Sequence, residues 1–260
     1  MKVVILCGGA GARLREETEF RPKPLVEIGG KPILWHIMKI YSHFGFNDFI
    51  LCLGYKGQMI KDYFLGYPYA QNDFTINLSS PGQIRFQGRP RGDRWNVTLV
   101  DTGLETMTGG RIKVIEKYIQ DDIFFATYGD GVADINLKDL LAYHRKHKKI
   151  ATITGVQPRT QFGMIETDEE GLVSGFKEKP RLDEWANGGF FVFDRKIFSY
   201  LGKNAVLEKE SFSKLADKKE LALYRHKGFW QCLDTFKDQE YLNNLWTKGR
   251  PLWRIWDHGK

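Results

Sequence analysis

Glycines and basic side chains lie close together near the start of the chain. Residues 7–14 read CGGAGARL, and the segment RPKPL follows, with Lys23 between two prolines. Glycines let backbone N–H groups come close to an anion, and lysine and arginine neutralise phosphate charge. Because the prolines restrict the backbone, we expect Lys23 to be held by a stiff, extended segment. The pattern predicts a phosphate-binding loop that uses Arg13 and Lys23.

The glycine loop matches neither of the two common phosphate-binding motifs. The dinucleotide fingerprint fails because Leu14 stands where its third glycine belongs, and the P-loop fails because Arg13 follows Gly8 at the place of its second glycine. The sequence also contains no G-x-S-x-G, no H-E-x-x-H and no protein-kinase motif set, which argues against hydrolase and kinase chemistry. What remains is a phosphate-binding loop of another kind.

Two aspartates are candidate metal ligands. Asp130 lies between two glycines directly after the apolar segment IFFATY, at the carboxyl end of a predicted parallel strand, where α/β proteins bind ligands. Asp-Gly is also common in turns, so a turn-forming role is the alternative. Mg²⁺ takes one or two carboxylates together with substrate phosphates. Asp234, in the segment GFWQCLDT, is the candidate for a second, half-buried carboxylate at a strand end.

The elements that must position these residues follow an α/β pattern. Apolar segments alternate with helical periodicity in the first half, which is typical of βαβ units and a mostly parallel sheet. Residues 66–103 are predicted to be extended structure and loops inserted between these units. The predicted strands cover residues 2–7, 48–53, 123–131, 150–157, 163–168, 172–179 and 188–194. The predicted helices cover residues 32–44, 56–65, 109–119 and 137–147, with further helices near 207–217 and 238–246.

Composition sets the class of protein. The chain has 260 residues with 42% hydrophobic content, a formal net charge of +7 and a pI near 9.1. No apolar run approaches the roughly 18 residues of a membrane span, so we expect a cytoplasmic protein. The three cysteines are far apart in sequence, which predicts buried free thiols. The arginine-rich segment 85–94 could approach an anionic ligand or a neighbouring subunit; nucleic-acid binding is disfavoured because no recognisable module accompanies it.

Taken together, these motifs resemble those of the sugar-phosphate nucleotidyltransferases over nearly the whole chain. The loop GGAGARL and the tripeptide EKP belong to the broad family. The segments WNVTLVDTG, MTGGR and GFWQ are similar to the branch that uses CTP. The resemblance implies a nucleotide-diphospho-sugar transferase fold: a Rossmann-like, mostly parallel central sheet with helices on both faces, a smaller β-rich sugar-binding part and a C-terminal helical segment. It implies one domain over 1–260, with a nucleotide-binding part at 1–135 and a sugar-binding and C-terminal part at 136–260.

The activity implied by this resemblance is transfer of CMP from CTP to α-D-glucose 1-phosphate, with Mg²⁺ as cofactor. The products are CDP-glucose and pyrophosphate, and the role is precursor supply for deoxysugars of surface polysaccharide such as O-antigen. The family suggests a homo-oligomer, specifically a hexamer, with neither nucleic-acid nor membrane partners. The alternatives are an enzyme that uses UTP or dTTP, and a catalytically silent sugar-nucleotide-binding paralogue.

The resemblance also assigns residues. Arg13, Lys23 and Lys179 are implied as catalytic, and Asp130 and Asp234 as ligands of Mg²⁺. The implied nucleotide-binding residues are Leu6, Cys7, Gly8, Gly9, Ala10, Gly11, Ala12, Arg13, Lys23, Thr108, Arg111 and Asp130. The implied sugar-phosphate-binding residues are Gly163, Glu178, Lys179, Asn187 and Gly188. Ala12 stands where the family loop has threonine, and this loses a hydroxyl donor worth about 0.5–1.5 kcal/mol.

Overall fold

The computed structural model describes residues 1–79, 82–89, 91–160 and 162–257. Pro90, within the arginine-rich segment, lies outside these described residues. The strands are β1 Val3–Cys7, β2 Glu27–Ile28, β3 Lys31–Pro32, β4 Asp48–Leu53, β5 Phe74–Ile76, β6 Ile84–Phe86, β7 Asn96–Asp101, β8 Ile123–Tyr128, β9 Gly131–Ala133, β10 Ala151–Val156, β11 Met164–Thr167, β12 Val173–Lys177, β13 Ala186–Asn187, β14 Phe191–Asp194, β15 Leu221–Arg225 and β16 Trp230–Cys232. The α-helices are α1 Arg15–Thr18, α2 Ile33–His43, α3 Gly57–Gln71, α4 Thr108–Val114, α5 Leu137–His147, α6 Phe212–Asp217 and α7 Phe236–Thr247.

A central sheet organises the molecule. Its strand order is β13-β10-β14-β8-β1-β4-β7, with β15 beside β10. The strands β8, β1, β4 and β7 run parallel, and β14 is antiparallel to both β8 and β10. The predicted fold class, a mostly parallel central sheet with helices, is therefore confirmed.

Both faces of the sheet are buried. Along β1, Val3 and Ile5 pack in one core cluster with α2, whereas Val4 and Leu6 pack in a second cluster that includes Ile112 of α4. Successive side chains of a strand point to opposite faces, so an uninterrupted apolar strand requires a covering layer on each side. The glycine loop follows β1 and is therefore anchored at the centre of the molecule.

The segment predicted as an insertion contributes to the sheet. Residues 96–101 form β7, which pairs in parallel with β4 as the edge strand. The rest of the segment contains the end of α3, which continues to Gln71 rather than ending near Leu65, and the β5–β6 hairpin. Asp93 ties the following loop to the body of the protein, because its carboxylate accepts hydrogen bonds from the side chains of Trp35, Lys39 and Tyr67.

The C-terminal segment packs against α2. His36 is fully buried there; its Nε2 lies 2.8 Å from the carbonyl oxygen of Ile28, and Trp253 donates its indole N–H to Nδ1 at 3.2 Å. Since the indole can only donate, Nδ1 must accept, and the neutral ring donates from Nε2. None of the helices in the described ranges is long and apolar enough to cross a membrane.

Candidate active site

A cleft of about 370 Å³ opens at the carboxyl ends of β1 and β8. This is the edge at which a parallel sheet usually binds ligands. It brings together twelve of the residues singled out in the sequence: Leu6, Cys7, Gly8, Gly9, Gly11, Ala12, Arg13, Lys23, Thr108, Arg111, Asp130 and Asp234. Pro24, Thr106, Met107, Tyr128 and Gly129 complete the lining.

The glycine loop has the form expected of an anion-binding turn. Position 8 has no room for a side chain, because a Cβ added at Gly8 would lie 2.1 Å from Nη1 of Arg111. Gly11 is required by conformation, with φ of +65°. In the described part of the chain, the backbone N–H groups of residues 9–13 donate to no protein acceptor. They are therefore available to a phosphate that enters the cleft.

Arg111 supports the loop from below. Its side chain is only 4% exposed. Nη1 donates to the carbonyls of Leu53 and Gly103 and to the hydroxyl of Thr102, and Nη2 donates to the carbonyls of Gly8 and Leu104. The guanidinium thus lies in the cleft wall, and both of its Nη atoms donate to the protein. Arg111 therefore shapes this wall and gives it positive charge.

Lys23 joins the two predicted metal ligands. Its Nζ lies 2.8 Å from Oδ2 of Asp130 and 2.5 Å from Oδ1 of Asp234. The other oxygen of Asp234 accepts from Nη1 of Arg13 at 2.9 Å. Both cations and both carboxylates expected from the sequence therefore meet at one point of the cleft.

The backbone at Lys23 differs from the sequence prediction. The sequence predicted an extended segment, whereas Lys23–Leu25 form a single turn of 3-10 helix after the extended Pro22. The N–H of Val26 donates to the carbonyl of Lys23 at 3.0 Å and closes the turn. The φ that proline fixes suits a helical turn as well as extended chain, so the closing hydrogen bond decides between them.

A small antiparallel ribbon carries Asp234 to Asp130. Strand β16 pairs with β9, with Cys232 opposite Gly131, and the N–H of Leu233 donates to the carbonyl of Asp130 at 2.8 Å. Helix α7 then begins with a capping box in which the side chains and N–H groups of Thr235 and Asp238 bond reciprocally. The chain on both sides of Asp234 is thereby fixed, and its position at a strand end is confirmed.

The charges in this cluster stabilise each other. Burial by itself lowers the pKa of Lys23, but attraction to Asp130 and Asp234 outweighs it, so the pKa lies above its ordinary value. Burial raises and Lys23 lowers the pKa of Asp234, with the net result below the ordinary value. Burial, helped by the two carboxylates, raises the pKa of the nearby Cys232 thiol to about 12. All three cysteines are free thiols; Cys7 and Cys52 are buried and Cys232 is half-buried.

The carboxylate pair fits a magnesium ion. Asp130 and Asp234 already converge on one cation, the ammonium group of Lys23, which stands in for a metal at this point. Carboxylate oxygens are the ligands that Mg²⁺ prefers. Among the described residues, no group of three or more His, Cys, Asp or Glu side chains could hold a metal ion. Within the described residues, the carboxylates that could hold a metal at this point are those of Asp130 and Asp234.

The residues predicted to face the sugar phosphate lie outside the cleft lining. Gly163, Glu178 and Lys179 flank the exposed β11–β12 hairpin, where the carboxylate of Glu178 lies 3.6 Å from the ammonium of Lys179. Lys179 adopts φ of +45°, a left-handed conformation that is uncommon for a residue other than glycine. Ala10, exposed in the loop, also does not line the cleft.

The NGG turn lies closer to the cleft. Asn187 donates its side-chain N–H to the hydroxyl of Tyr128 at 2.9 Å. The carbonyl of Gly188 accepts from the indole of Trp230 at 2.8 Å, which ties this turn to the ribbon that carries Asp234. The structure thus joins Asn187 and Gly188 to the cleft by hydrogen bonds, whereas Gly163, Glu178 and Lys179 are not among its lining residues.

Comparison with known proteins decides the family. The model of the nucleotidyl transferase family matches residues 2–247 of this chain. The chain belongs to the nucleotidyl transferase family. This confirms the predicted family on nearly the full length of the sequence.

Full-length members of the family are similar to this chain. It is 48% identical over 258 residues to a probable glucose-1-phosphate cytidylyltransferase of Bacillus subtilis, covering 98% of this chain and 100% of the relative. It is 47% identical over 260 residues to the glucose-1-phosphate cytidylyltransferase of Salmonella typhi, covering 99% of this chain and 100% of the relative.

Solved structures of the same fold are more distant in sequence. HddC from Yersinia pseudotuberculosis superposes with a TM-score of 0.68 at 23% identity, covering 94% of this chain and 99% of that one. A UDP-glucose pyrophosphorylase complexed with UDP-glucose superposes with a TM-score of 0.67 at 18% identity, covering 96% and 99%. At these identities the likeness establishes the fold alone.

Sequence reasoning missed several residues of this nucleotidyl transferase cleft. Thr106 and Met107 directly precede the predicted Thr108 in the sequence, and Tyr128 directly precedes the Gly-Asp-Gly turn. Proximity to a predicted motif was the available signal for all three. Glu208, which accepts hydrogen bonds from both Tyr128 and Thr108, had no such signal, because it is distant in sequence from every predicted motif.

Proposed function

We propose that the protein transfers CMP from CTP to α-D-glucose 1-phosphate and releases pyrophosphate, giving CDP-glucose. The observation that carries the reaction class is the convergence of Lys23, Asp130 and Asp234 beneath a glycine loop with free backbone donors. The full-length relatives from Bacillus subtilis and Salmonella typhi, named as glucose-1-phosphate cytidylyltransferases, support the choice of CTP and glucose 1-phosphate.

The reaction is an in-line displacement at phosphorus. A phosphate oxygen of glucose 1-phosphate attacks the α-phosphorus of CTP, a new P–O bond forms, and the bond to the β-phosphate breaks with its electron pair going to pyrophosphate. No protein nucleophile is needed, so catalysis rests on positioning and on compensation of charge. When bound at Asp130 and Asp234, Mg²⁺ supplies neutralisation of the phosphate oxygens.

The residues of the chain divide this work between them. The backbone N–H groups of residues 9–13 bind the triphosphate, and Ala12 retains its N–H although it has no hydroxyl. Arg13, whose side chain is 78% exposed, turns from Asp234 to the phosphates, and Lys23 compensates charge on the departing pyrophosphate. Lys179, which lies outside the cleft lining, moves to the attacking phosphate and holds it against repulsion by the triphosphate.

We also propose that the enzyme is a cytoplasmic homo-oligomer, specifically a hexamer, that supplies a precursor for deoxysugars of surface polysaccharide such as O-antigen. This proposal rests on the family resemblance of the sequence motifs. Measurement of molar mass by light scattering tests the oligomeric state directly.

The proposed activity is tested by assaying pyrophosphate release with each nucleoside triphosphate against several hexose 1-phosphates, with and without Mg²⁺. We expect release to require Mg²⁺ and to be fastest with CTP and glucose 1-phosphate. Faster release with UTP or dTTP overturns the choice of base, and no release with any pair indicates a silent binding protein.

A matched pair of variants tests the site. Asp234→Asn removes a proposed metal ligand, and we expect it to lower kcat by at least a factor of about 100, in line with losses at electrostatic groups of active sites. Asp217→Asn removes a surface acid at the end of α6 and should leave kcat unchanged. Equal activity of the two variants contradicts the proposed role of Asp234.

A further inference from the structure

A line of hydrogen-bonded side chains connects two parts of the site. One is the cleft wall that carries Thr108, called here the nucleotide wall. The other is the NGG turn formed by residues 187–189. Thr108 on α4 donates its hydroxyl to Oε2 of Glu208 at 2.7 Å. Tyr128 donates its hydroxyl to Oε1 of the same carboxylate. Asn187 in turn donates its side-chain N–H to the Tyr128 oxygen at 2.9 Å. Two residues that belong to different substrates in the proposed reaction, Thr108 and Asn187, are thereby joined through the two that lie between them.

The direction of every hydrogen bond in this line is fixed by the carboxylate. An ionised carboxylate only accepts, so Thr108 and Tyr128 must both donate to Glu208. The Tyr128 oxygen then offers its lone pairs to the amide of Asn187, whose Oδ1 accepts the N–H of Gly189 at 3.0 Å. The amide is therefore held in one orientation, with its nitrogen toward the cleft-lining tyrosine.

The charge of Glu208 is compensated by hydroxyl groups rather than by a basic side chain. In the described part of the chain, it lies within 4.0 Å of no lysine, arginine or histidine nitrogen. Its charge is stabilised by two hydroxyl donors, and burial followed by the charge of Glu208 raises the pKa of Tyr128. It lies in a π-helical turn, Leu207–Ser211, and such turns are frequent at functional sites.

The turn itself is tied to α4. The N–H of Leu207 donates to Oγ1 of Thr108 at 2.9 Å, and the N–H of Gly110 donates to the carbonyl of Ala205 at 3.1 Å. Thr108 thus accepts from the backbone on one side of Glu208 and donates to its side chain. Helix α4 and the turn that carries Glu208 are therefore joined by direct hydrogen bonds.

We propose that Glu208 is a positioning residue: through Tyr128 and Thr108 it holds the Asn187 amide in a fixed relation to the nucleotide wall, so that the two substrates bind to one preset geometry. This rests on the proposed function, because it takes Thr108 as nucleotide-facing and Asn187 as sugar-facing. Glu208 itself does not line the cleft and acts only through its two partners.

The test uses Tyr128→Phe, which removes one oxygen from the centre of the line and keeps the ring. The change removes both hydrogen bonds of the Tyr128 hydroxyl, to Glu208 and from Asn187. Loss of the bond that holds Asn187 is expected to raise the KM for glucose 1-phosphate by about three- to tenfold, with kcat and the KM for CTP changed by less than about twofold. Tyr118→Phe, at a tyrosine whose hydroxyl has no hydrogen-bond partner among the described residues, is the matched control and should change neither KM. An unchanged KM for glucose 1-phosphate, or a fall in kcat alone, overturns the proposal.

A double-mutant cycle tests the connection independently. Thr108→Val and Asn187→Ala are measured alone and together, first with Glu208 present and then in Glu208→Ala. Residues without mutual contact should be additive, so we expect their effects on the KM for glucose 1-phosphate to be coupled by about threefold or more with Glu208 present and additive without it. Additive effects in both backgrounds overturn the proposal. If another triphosphate or sugar phosphate proves to be the substrate, the same cycle is run with that pair, so failure of the proposed substrates is distinguished from failure of the positioning role.

Discussion

Replacement of Lys23 by methionine should destabilise the metal-free protein. The substitution keeps most of the side-chain volume but leaves Asp130 and Asp234 facing one another without their shared cation. Removing one partner of a fully buried ion pair costs about 3–5 kcal/mol, whereas an exposed pair contributes at most about 1 kcal/mol. The side chains of Lys23, Asp130 and Asp234 are 12%, 28% and 23% exposed, so we expect a loss of about 2–3 kcal/mol between these limits.

The assay is urea unfolding at pH 7 in the presence of EDTA. Lys2→Met is the matched control, since Lys2 pairs with the single carboxylate of Asp48 at 2.7 Å, at the opposite end of β1. It should cost no more than about 1 kcal/mol. A loss in Lys23→Met no larger than in Lys2→Met contradicts the reasoning that the ammonium compensates two acids at once.

The same urea unfolding experiment, repeated with Mg²⁺ in place of EDTA, tests whether Lys23 competes with a metal. The ammonium of Lys23 occupies the point on which both carboxylates converge, so we expect it to compete with a metal for them in the absence of nucleotide. We expect Mg²⁺ to restore part of the lost stability in Lys23→Met and to stabilise the wild type less, because a ligand stabilises according to its affinity for the folded state. Equal stabilisation of the two proteins by Mg²⁺ refutes competition between Lys23 and the metal.

Three further predictions follow from particular contacts. Gly8→Ala should lower the free energy of unfolding by about 2–4 kcal/mol in urea melts, because the added Cβ collides with the guanidinium beside it, while Gly9→Ala, with no atom within 4 Å, should change it by less than about 0.5 kcal/mol. Lys179→Ala should lower kcat more than it raises the KM for CTP, whereas Lys177→Ala on the same hairpin, paired with an acid at 2.6 Å, should be neutral in steady-state assays. Burial lowers the pKa of His36 to about 4 in the folded protein, so its contribution to stability is complete above the unfolded value of about 6.5 and is lost as pH falls toward 4, amounting to about 2 kcal/mol at pH 5. Comparison of urea unfolding at pH 7.5 and pH 5 checks this, and His36→Gln should show the smaller loss; equal losses contradict it.

Local signals in the sequence were sufficient to place helices α2 and α7 to within two residues at each end. Helix α2 was predicted over 32–44 and extends over Ile33–His43, because a proline precedes it and a glycine follows it. Helix α7 was predicted to begin at Asp238 but begins at Phe236, because the capping box of Thr235 and Asp238 starts it two residues earlier. Such a box is visible in the sequence, so this difference was avoidable.

Hydrogen bonds between segments that are distant in sequence could not be predicted from sequence patterns. Thr108 and Arg111 of the MTGGR segment were expected to hold the nucleotide, but nothing in that segment indicates that Arg111 donates beneath the glycine loop to carbonyls from three separate segments. The same holds for Glu208, which reaches Thr108 across 100 positions of the chain. Periodicity and turn chemistry report on neighbours in sequence, whereas these hydrogen bonds depend on how the sheet is assembled.

The two carboxylates of the site come together only after the sheet and the C-terminal segment have assembled. Asp130 follows β8 in the centre of the sheet, but Asp234 reaches it only through the pairing of β16 with β9 and the cap of α7. That pairing joins segments about a hundred residues apart, so its loop-closure entropy is compensated only once the sheet and the C-terminal helix are both in place. Lys23 then draws the two carboxylates together, and Arg13 and the backbone of residues 9–13 face the same cleft. A perturbation that releases α7, such as loss of the Thr235 cap, should therefore remove the second carboxylate from the cleft while leaving the glycine loop and β1 in position.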